Sequence, residues 1–212
     1  MGTPGERAMS KRALDLLITL PLLAILSPLL VLIAIIIKAT SPGPVLFRQS
    51  RVGLGNRPFT MLKFRSMVVS APDDDSALRQ AIHDELAGTS RAVGASFKLA
   101  ADPRVTRIGR VIRATSLDEI TQLFNVVRGE MSLVGPRPAL DWEAEAFPPE
   151  FRRRTDALPG ITGLWQVSGR SRLSTPEMLQ LDLEYVDTQS LGLDLRILLR
   201  TIPVMIRGDG AR

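Results

Sequence analysis

The 212-residue chain contains no cysteine and a single histidine, His83. The first absence removes disulfides, thiolate metal sites and cysteine nucleophiles. The second leaves zinc without its usual ligands, so any metal-assisted chemistry falls to an ion that prefers oxygen. His83 lies in a polar stretch and reads as a surface residue. Aromatic residues make up only 5% of the chain, too few for the stacking platforms of a single-strand nucleic-acid binder. What remains for catalysis is carboxylates, hydroxyls, lysine and arginine.

A more local absence is the most informative one. From Leu16 to Ile37 there is no charged side chain. As a helix this run extends roughly 33 Å, enough to cross the hydrocarbon core of a bilayer. Pro28 stands near its middle, directly after Ser27. A mid-helix proline removes a donor and clashes with the preceding turn, so a kink or break is expected there, with the Ser27 hydroxyl able to satisfy a freed backbone group. Pro21 is a second weak point. Lys11 and Arg12 precede the run, and Lys38, Arg48 and Arg51 follow it. Cations on both flanks leave two readings open: a spanning helix with a proline kink, or a re-entrant hairpin whose ends share one side. The run exceeds a signal-peptide core and no A-x-A site follows it, which argues against cleavage.

The rest of the chain has the size of one compact domain. Its net charge of +5 suits anionic lipid or phosphorylated substrates, and the apolar run argues against nucleic acid. Ser41-Pro42-Gly43-Pro44 is a turn introducing two extended pieces, Val45 to Gln49 and Phe59 to Met67, joined through Gly53-Leu54-Gly55-Asn56. A strand period puts Met61, Lys63 and Arg65 on one face, as a solvated surface or as a phosphate contact. Asp73-Asp74-Asp75 reads mainly as a helix start or solvated loop, with metal binding the minor alternative. A helix is expected through Arg79 and Leu86.

From Pro103 the pattern turns helical, with Val105, Ile108, Val111 and Ile112 forming a stripe among arginines. A second helix is expected from Leu117 through Val127, ending near Gly129. Its start, Ser116-Leu117-Asp118-Glu119, has the form of a capping box, which is a sufficient structural explanation of those residues. The alternative is chemical. Free amides at the helix start and the nearby Arg113 would favour an ionised Asp118 able to attack phosphorus. Downstream, Arg137 is held between Pro136 and Pro138 on stiff backbone, and Arg170 follows Gly169 after the turn-strand-turn of Pro159-Gly160-Ile161-Thr162-Gly163. Near the C-terminus, Thr175-Pro176-Glu177 starts a helix through Tyr185. Leu193 to Ile206 is a second apolar stretch carrying Arg196 and Arg200, read as an interfacial amphipathic helix or as a core helix with exposed arginines.

Taken in order, these motifs resemble the bacterial sugar transferases, the monotopic phosphoglycosyl transferases. The resemblance rests on the Ser-Pro in the apolar helix, Ser41-Pro42-Gly43-Pro44 before Phe47-Arg48-Gln49, Lys63-Phe64-Arg65-Ser66-Met67, Thr115-Ser116-Leu117-Asp118-Glu119, Met131 through Pro138, and Pro159 through Gly163 before Gly169-Arg170. It implies a helix-rich mixed α/β fold, with residues 1–40 as a re-entrant membrane helix broken at Ser27-Pro28. Residues 41–212 would form a cytoplasmic catalytic domain with interfacial C-terminal helices, on the inner membrane of a bacterium. It further implies transfer of sugar 1-phosphate from a nucleoside diphosphate sugar, a UDP-sugar above all, to polyprenyl phosphate. Asp118 would be the nucleophile that carries a phosphosugar, Glu119 its partner, and Mg²⁺ the required ion, held through Asp118. Lys63, Arg65, Arg113, Arg137 and Arg170 would be the phosphate-binding cations.

Two departures bear on the resemblance. Gln189 stands where many members have tryptophan, and the multi-span N-terminal region of larger members is absent, which suits a small-form enzyme or the catalytic part of a longer one. Two rival readings remain on sequence grounds: a lipid-linked glycosyltransferase with no covalent intermediate, and a non-catalytic membrane scaffold in which Ser116 to Glu119 only caps a helix.

Overall fold

The structure, a computed structural model, describes residues 4–68, 76–88 and 104–207; Asp73 to Asp75 fall outside them. It is a helix-rich mixed α/β architecture built against one long apolar helix. That helix, α1, runs without a break from Pro4 to Thr40 through both Pro21 and Pro28. Helical structure continues across Pro28 for a local reason. Pro28 has no N–H to give the carbonyl of Ala24, and the Ser27 hydroxyl donates to that carbonyl instead, at 2.8 Å.

One face of α1 is packed from Lys11 to Ile37. Leu23 and Leu26 lie against the main core, while Leu30, Ile33 and Ile37 are buried with Phe64 and Ile112. The opposite face, with Leu17, Ile25, Val31 and Ile35, is exposed. Near its start α1 also carries charges into the protein. Lys11 Nζ donates to Asp194 Oδ2 (2.8 Å), to the Tyr185 hydroxyl (3.0 Å) and to the Val134 carbonyl (2.9 Å). Arg12 donates to the Val126 and Val127 carbonyls. Asp15 Oδ1 accepts from Ser132 Oγ and from the Leu133 amide, both at 3.0 Å. These bonds replace water lost on burial, although Asp15 Oδ2 is buried without a partner.

After the Ser41-Pro42 turn, β1 (Leu46–Val52) and β2 (Pro58–Phe64) form an antiparallel hairpin with Leu46 opposite Phe64 and Val52 opposite Pro58. β1 runs three residues past its expected end, and β2 stops before Arg65. Helix α2 covers Ser76–Leu86 and α3 Arg107–Ala114, the latter capped by Thr106 Oγ1, which accepts from the Gly109 amide at 2.9 Å. The expected stripe is only partly correct: Val105 instead bridges to Met67, and Val111 is 55% exposed, so Ile108 and Ile112 alone face inward. A 3₁₀ segment, Leu117–Gln122, leads into α4 (Leu123–Arg128). Gly129, at φ 80°, ends it in the left-handed conformation glycine tolerates best.

Strand β3 (Ser132–Val134) pairs in parallel with β4 (Gly160–Thr162). Between them lie α5 (Asp141–Ala146) and a 3₁₀ stretch, Pro149–Asp156. A Cβ on Gly160 would come within 2.1 Å of the Gly135 nitrogen, so these two backbones meet where no side chain fits. Three helices follow: α6 (Leu164–Ser168), α7 (Thr175–Thr188) and α8 (Leu191–Arg207). The cap of α7 is Ser174, one residue before the expected Thr175, in a true capping box with Glu177. Val126, Met131, Tyr185 and Ile197 centre the core.

Asp15 ties α1 to β3, so removing its carboxyl leaves the Leu133 amide buried without an acceptor. Asp15→Ala is expected to cost on the order of 2–4 kcal/mol, read as a lowered thermal midpoint in detergent, with Asp15→Asn milder.

Candidate active site

The site begins at the free edge of β2. β1 occupies one edge of that strand; the other is satisfied by side chains of the next helical unit. Asn125 Oδ1 accepts from the Leu62 amide (3.1 Å), Asn125 Nδ2 donates to the Thr60 carbonyl (2.7 Å), and Thr121 Oγ1 donates to the Leu62 carbonyl (3.0 Å). Two side chains thus imitate a third strand and clamp the 3₁₀ segment against the sheet. Asp118 and Glu119 sit in the first turn of that segment.

The expected capping box does not form. Ser116 is in the left-handed region (φ 56°, ψ 19°) and its side chain makes no cap bond. Glu119 turns to Lys63, whose Nζ lies 2.8 Å from Glu119 Oε1. The lysine is delivered by β2 from the strand that Asn125 and Thr121 grip, so the ion pair and the clamp are parts of one arrangement.

Asp118 departs from the expected electrostatics as well. Burial, and then the charge of Glu119, push its carboxyl up to about 6 from an ordinary value of 3.8. Lys63, a backbone hydrogen bond and Arg113 pull the other way and are outweighed. Desolvation beats the nearby cations because the carboxyl is set into the wall of a cavity instead of standing free at a helix tip. At neutral pH it remains mostly ionised, and less stabilised as an anion than an exposed aspartate. That suits a nucleophile.

This cavity, of about 430 Å³, is lined by Asp118, Glu119, Lys63, Arg113, Arg137 and Arg170, brought from five separate parts of the chain. Arg137 is exposed on its proline-flanked backbone, and Arg170 has φ 51°. Trp165, Phe147 and Gln166 also line the cavity.

Arg65 is not among the lining groups. Buried to 4% exposure, it donates to the carbonyls of Pro42 and Ser41 (both 2.8 Å) and to Ser41 Oγ (2.7 Å). A turn with prolines at positions 42 and 44 is short of donors, and Arg65 closes it from across the hairpin. Ser27 and Pro28 lie on α1, away from the lining groups. His83 is exposed, as its surroundings in the sequence suggest. Sequence reasoning missed Thr121 and Asn125, and it missed the buried pair Arg154 and Asp182 (2.6 Å) behind Arg137. Arg154 stands in a run of three arginines that looks like surface charge.

No three His, Cys, Asp or Glu side chains converge among the described residues. Asp118 and Glu119 still fit a magnesium ion, which protein sites commonly hold through one or two carboxylates with substrate phosphate and water supplying the rest.

A half-buried carboxylate sharing one cavity with several cations suits chemistry on phosphorylated substrates. Residues 6–208 match the bacterial sugar transferase family, and the chain belongs to it. It is 44% identical to a UDP-glucose:undecaprenyl-phosphate glucose-1-phosphate transferase of Caulobacter vibrioides, over 96% of this chain and 72% of that protein. It is 38% identical to the exopolysaccharide production protein ExoY of Sinorhizobium fredii, over 96% of this chain and 88% of the relative. It is 40% identical to an undecaprenyl-phosphate galactose phosphotransferase of Salmonella typhimurium, over 95% of this chain but only 41% of that protein.

Two outcomes follow from the position of Asp118. Any chemistry that uses Asp118 as an anion needs its ionised form, so activity that depends on this carboxylate should fall as pH drops through about 6. Glu119→Gln should move that limb to lower pH and Lys63→Met to higher pH, as read from initial-rate profiles. Stability runs the opposite way. With a folded-state pKa above the unfolded one, this group favours the folded state fully below about pH 4, and the contribution is lost as pH rises through about 6. Asp118→Asn should therefore stabilise the protein at pH 8 by on the order of 1–2 kcal/mol, after discounting for solvent screening, measured as a raised thermal midpoint.

Proposed function

We propose that this protein transfers sugar 1-phosphate from a nucleoside diphosphate sugar, in the first instance a UDP-sugar, to polyprenyl phosphate, starting assembly of a polysaccharide or glycan. The observation that carries the reading is the placement of Asp118 in one cavity wall with Lys63, Arg113, Arg137 and Arg170 around it. Relatives named for UDP-glucose and undecaprenyl phosphate support the two substrate classes.

In the first half-reaction, an Asp118 carboxylate oxygen forms a bond to the sugar-bearing phosphorus. The bond from that phosphorus to the bridging oxygen breaks, and its electron pair leaves on the nucleoside monophosphate. In the second, a phosphate oxygen of the polyprenyl phosphate attacks the same phosphorus and frees the carboxylate. Two substrates of very different polarity can thereby use one site in turn. Arg137, Arg170 and Arg113 supply fixed positive charge for the diphosphate and the departing monophosphate. Lys63 holds Glu119 in place and tempers the repulsion between the two acids. A magnesium ion bound through Asp118 or Glu119 would add charge neutralisation at the diphosphate.

Residues 1–40 are read as a re-entrant membrane helix and residues 41–212 as the catalytic domain on the cytoplasmic face of the bacterial inner membrane. Support comes from both ends of α1. Lys11, Arg12 and Asp15 bond to the same domain that buries Leu30, Ile33 and Ile37, and a polar domain cannot occupy both sides of a bilayer. The outward apolar residues of α1 face lipid in this reading. On α8, Leu195, Leu199 and Ile202 are exposed beside Arg196 and Arg200, a pattern suited to lying in the headgroup region.

The test incubates detergent-solubilised protein with Mg²⁺ and a panel of nucleoside diphosphate sugars. Without lipid acceptor, intact mass should rise by one phosphosugar on Asp118. With polyprenyl phosphate, nucleoside monophosphate should be released, and Asp118→Asn should lose about 10⁴-fold in rate or more while keeping its fold. Release of nucleoside diphosphate would identify the rival glycosyltransferase; full function in Asp118→Asn would identify the scaffold.

A further inference from the structure

Arg137 is a cavity cation outside any helix or strand, and the constraint on its backbone comes from outside the segment. Four successive carbonyls each hold a donor. Pro136 O accepts from the Gly160 amide (2.8 Å), Arg137 O from Arg154 Nη2 (2.7 Å), Pro138 O from Arg51 Nη1 (3.1 Å), and Ala139 O from the Val52 amide (2.9 Å). The two prolines fix their own φ and donate nothing. Two of the four donors are side chains, and both are buried, Arg51 to 6% and Arg154 to 8% exposure.

Arg154 is itself immobilised on three sides. Its Nε (3.2 Å) and Nη2 (2.6 Å) reach Asp182 Oδ2, and its guanidinium lies 5.3 Å from the centre of the Phe147 ring. Asp182 is 2% exposed, so this is a dry pair. Arg154 and Asp182 reach the wall of the same cavity as Arg137, but with its charge matched by Asp182 and little of it exposed, Arg154 is less suited than Arg137 to be a phosphate ligand. It is well suited to be a rigid donor that fixes the backbone carrying the arginine which is exposed. A lysine would keep the charge but lose the second bond from Nε to Asp182 and the planar group that lies over Phe147, and so would hold the Arg137 carbonyl less rigidly.

We propose that Arg154, locked by Asp182, is a positioning residue that acts through Arg137, presetting this guanidinium for the phosphate of the nucleoside diphosphate. The inference rests on the function proposed above. Presetting removes ordering cost that a flexible arginine would otherwise charge against binding.

The experiment is a double-mutant cycle on Arg154→Lys and Arg137→Ala in the full-length protein in detergent, with UDP affinity by calorimetry as the readout. Each single variant should weaken UDP by about tenfold, and the double variant should be no weaker than Arg137→Ala within about twofold. With UDP-glucose, or whichever UDP-sugar the wild type turns over, Arg154→Lys should raise KM about tenfold and leave kcat within about threefold. Wild-type UDP affinity in Arg154→Lys, or losses that multiply in the double variant, would overturn the proposal. Should Arg154→Lys not fold, Asp182→Asn, which leaves Arg154 a neutral acceptor, is judged by the same criteria. Absence of wild-type turnover with any nucleoside diphosphate sugar would sink the proposed function instead, and the UDP cycle reads separately from it.

Discussion

The unpaired edge of a two-stranded hairpin is the constraint on which this site depends. A strand edge buried against the protein must find partners for its amides and carbonyls. Here no third strand arrives; Asn125 and Thr121 supply the bonds from a helical unit. The substitution has a geometric result. A third strand would present alternating side chains, whereas a 3₁₀ turn pressed on the edge presents two neighbouring acids beside Lys63. The electrostatics of Asp118 then follow from where the turn is held. Its carboxyl is half sunk in a wall, close to one acid and within the influence of two cations, and burial sets the direction of its shift.

The long helix obeys a related rule. It is apolar outward and carries three charges inward near its start, each matched to groups on α4, β3, α7 or α8. Arg12 meets carbonyls at the end of α4, where a helix has acceptors to spare and a negative dipole end. These bonds fasten an apolar rod lengthwise to a polar domain without relying on hydrophobic contact alone, which in lipid would contribute little.

Much of this architecture was legible in the chain, and the gaps have a common cause. Length and hydropathy marked α1, and the turn residues marked the hairpin and the end of α4 at Gly129. The residue types at positions 118, 119, 63, 137 and 170 pointed toward one chemistry. What stayed hidden depends on partners distant in sequence. Strand alternation placed Arg65 beside Lys63, but β2 ends one residue earlier and the donor-poor Ser41-Pro42 turn captures the guanidinium. Ser116 and Glu119 fit a local capping pattern, yet Lys63, 56 residues away, takes the carboxylate. The Ser27-Pro28 pair marked a weak point in the helix, and the same serine satisfies the carbonyl that the proline leaves free. Arg154 and Asp182 carry no signal at all until the Arg137 carbonyl is seen to need a donor.

The bonds of Asp15 and Lys11 to β3 have one more consequence. Asp15 holds Ser132 and Leu133, Lys11 holds Val134, and the chain then passes through Gly135 and Pro136 directly into Arg137. Strand β3 and the bend at Gly135-Pro136 therefore join the long apolar helix to the exposed guanidinium of the cavity. The anchoring of α1 and the placement of the cavity arginine are thus one mechanical unit, so a change that loosens Asp15 or Lys11 from β3 reaches Arg137 through only a few backbone bonds.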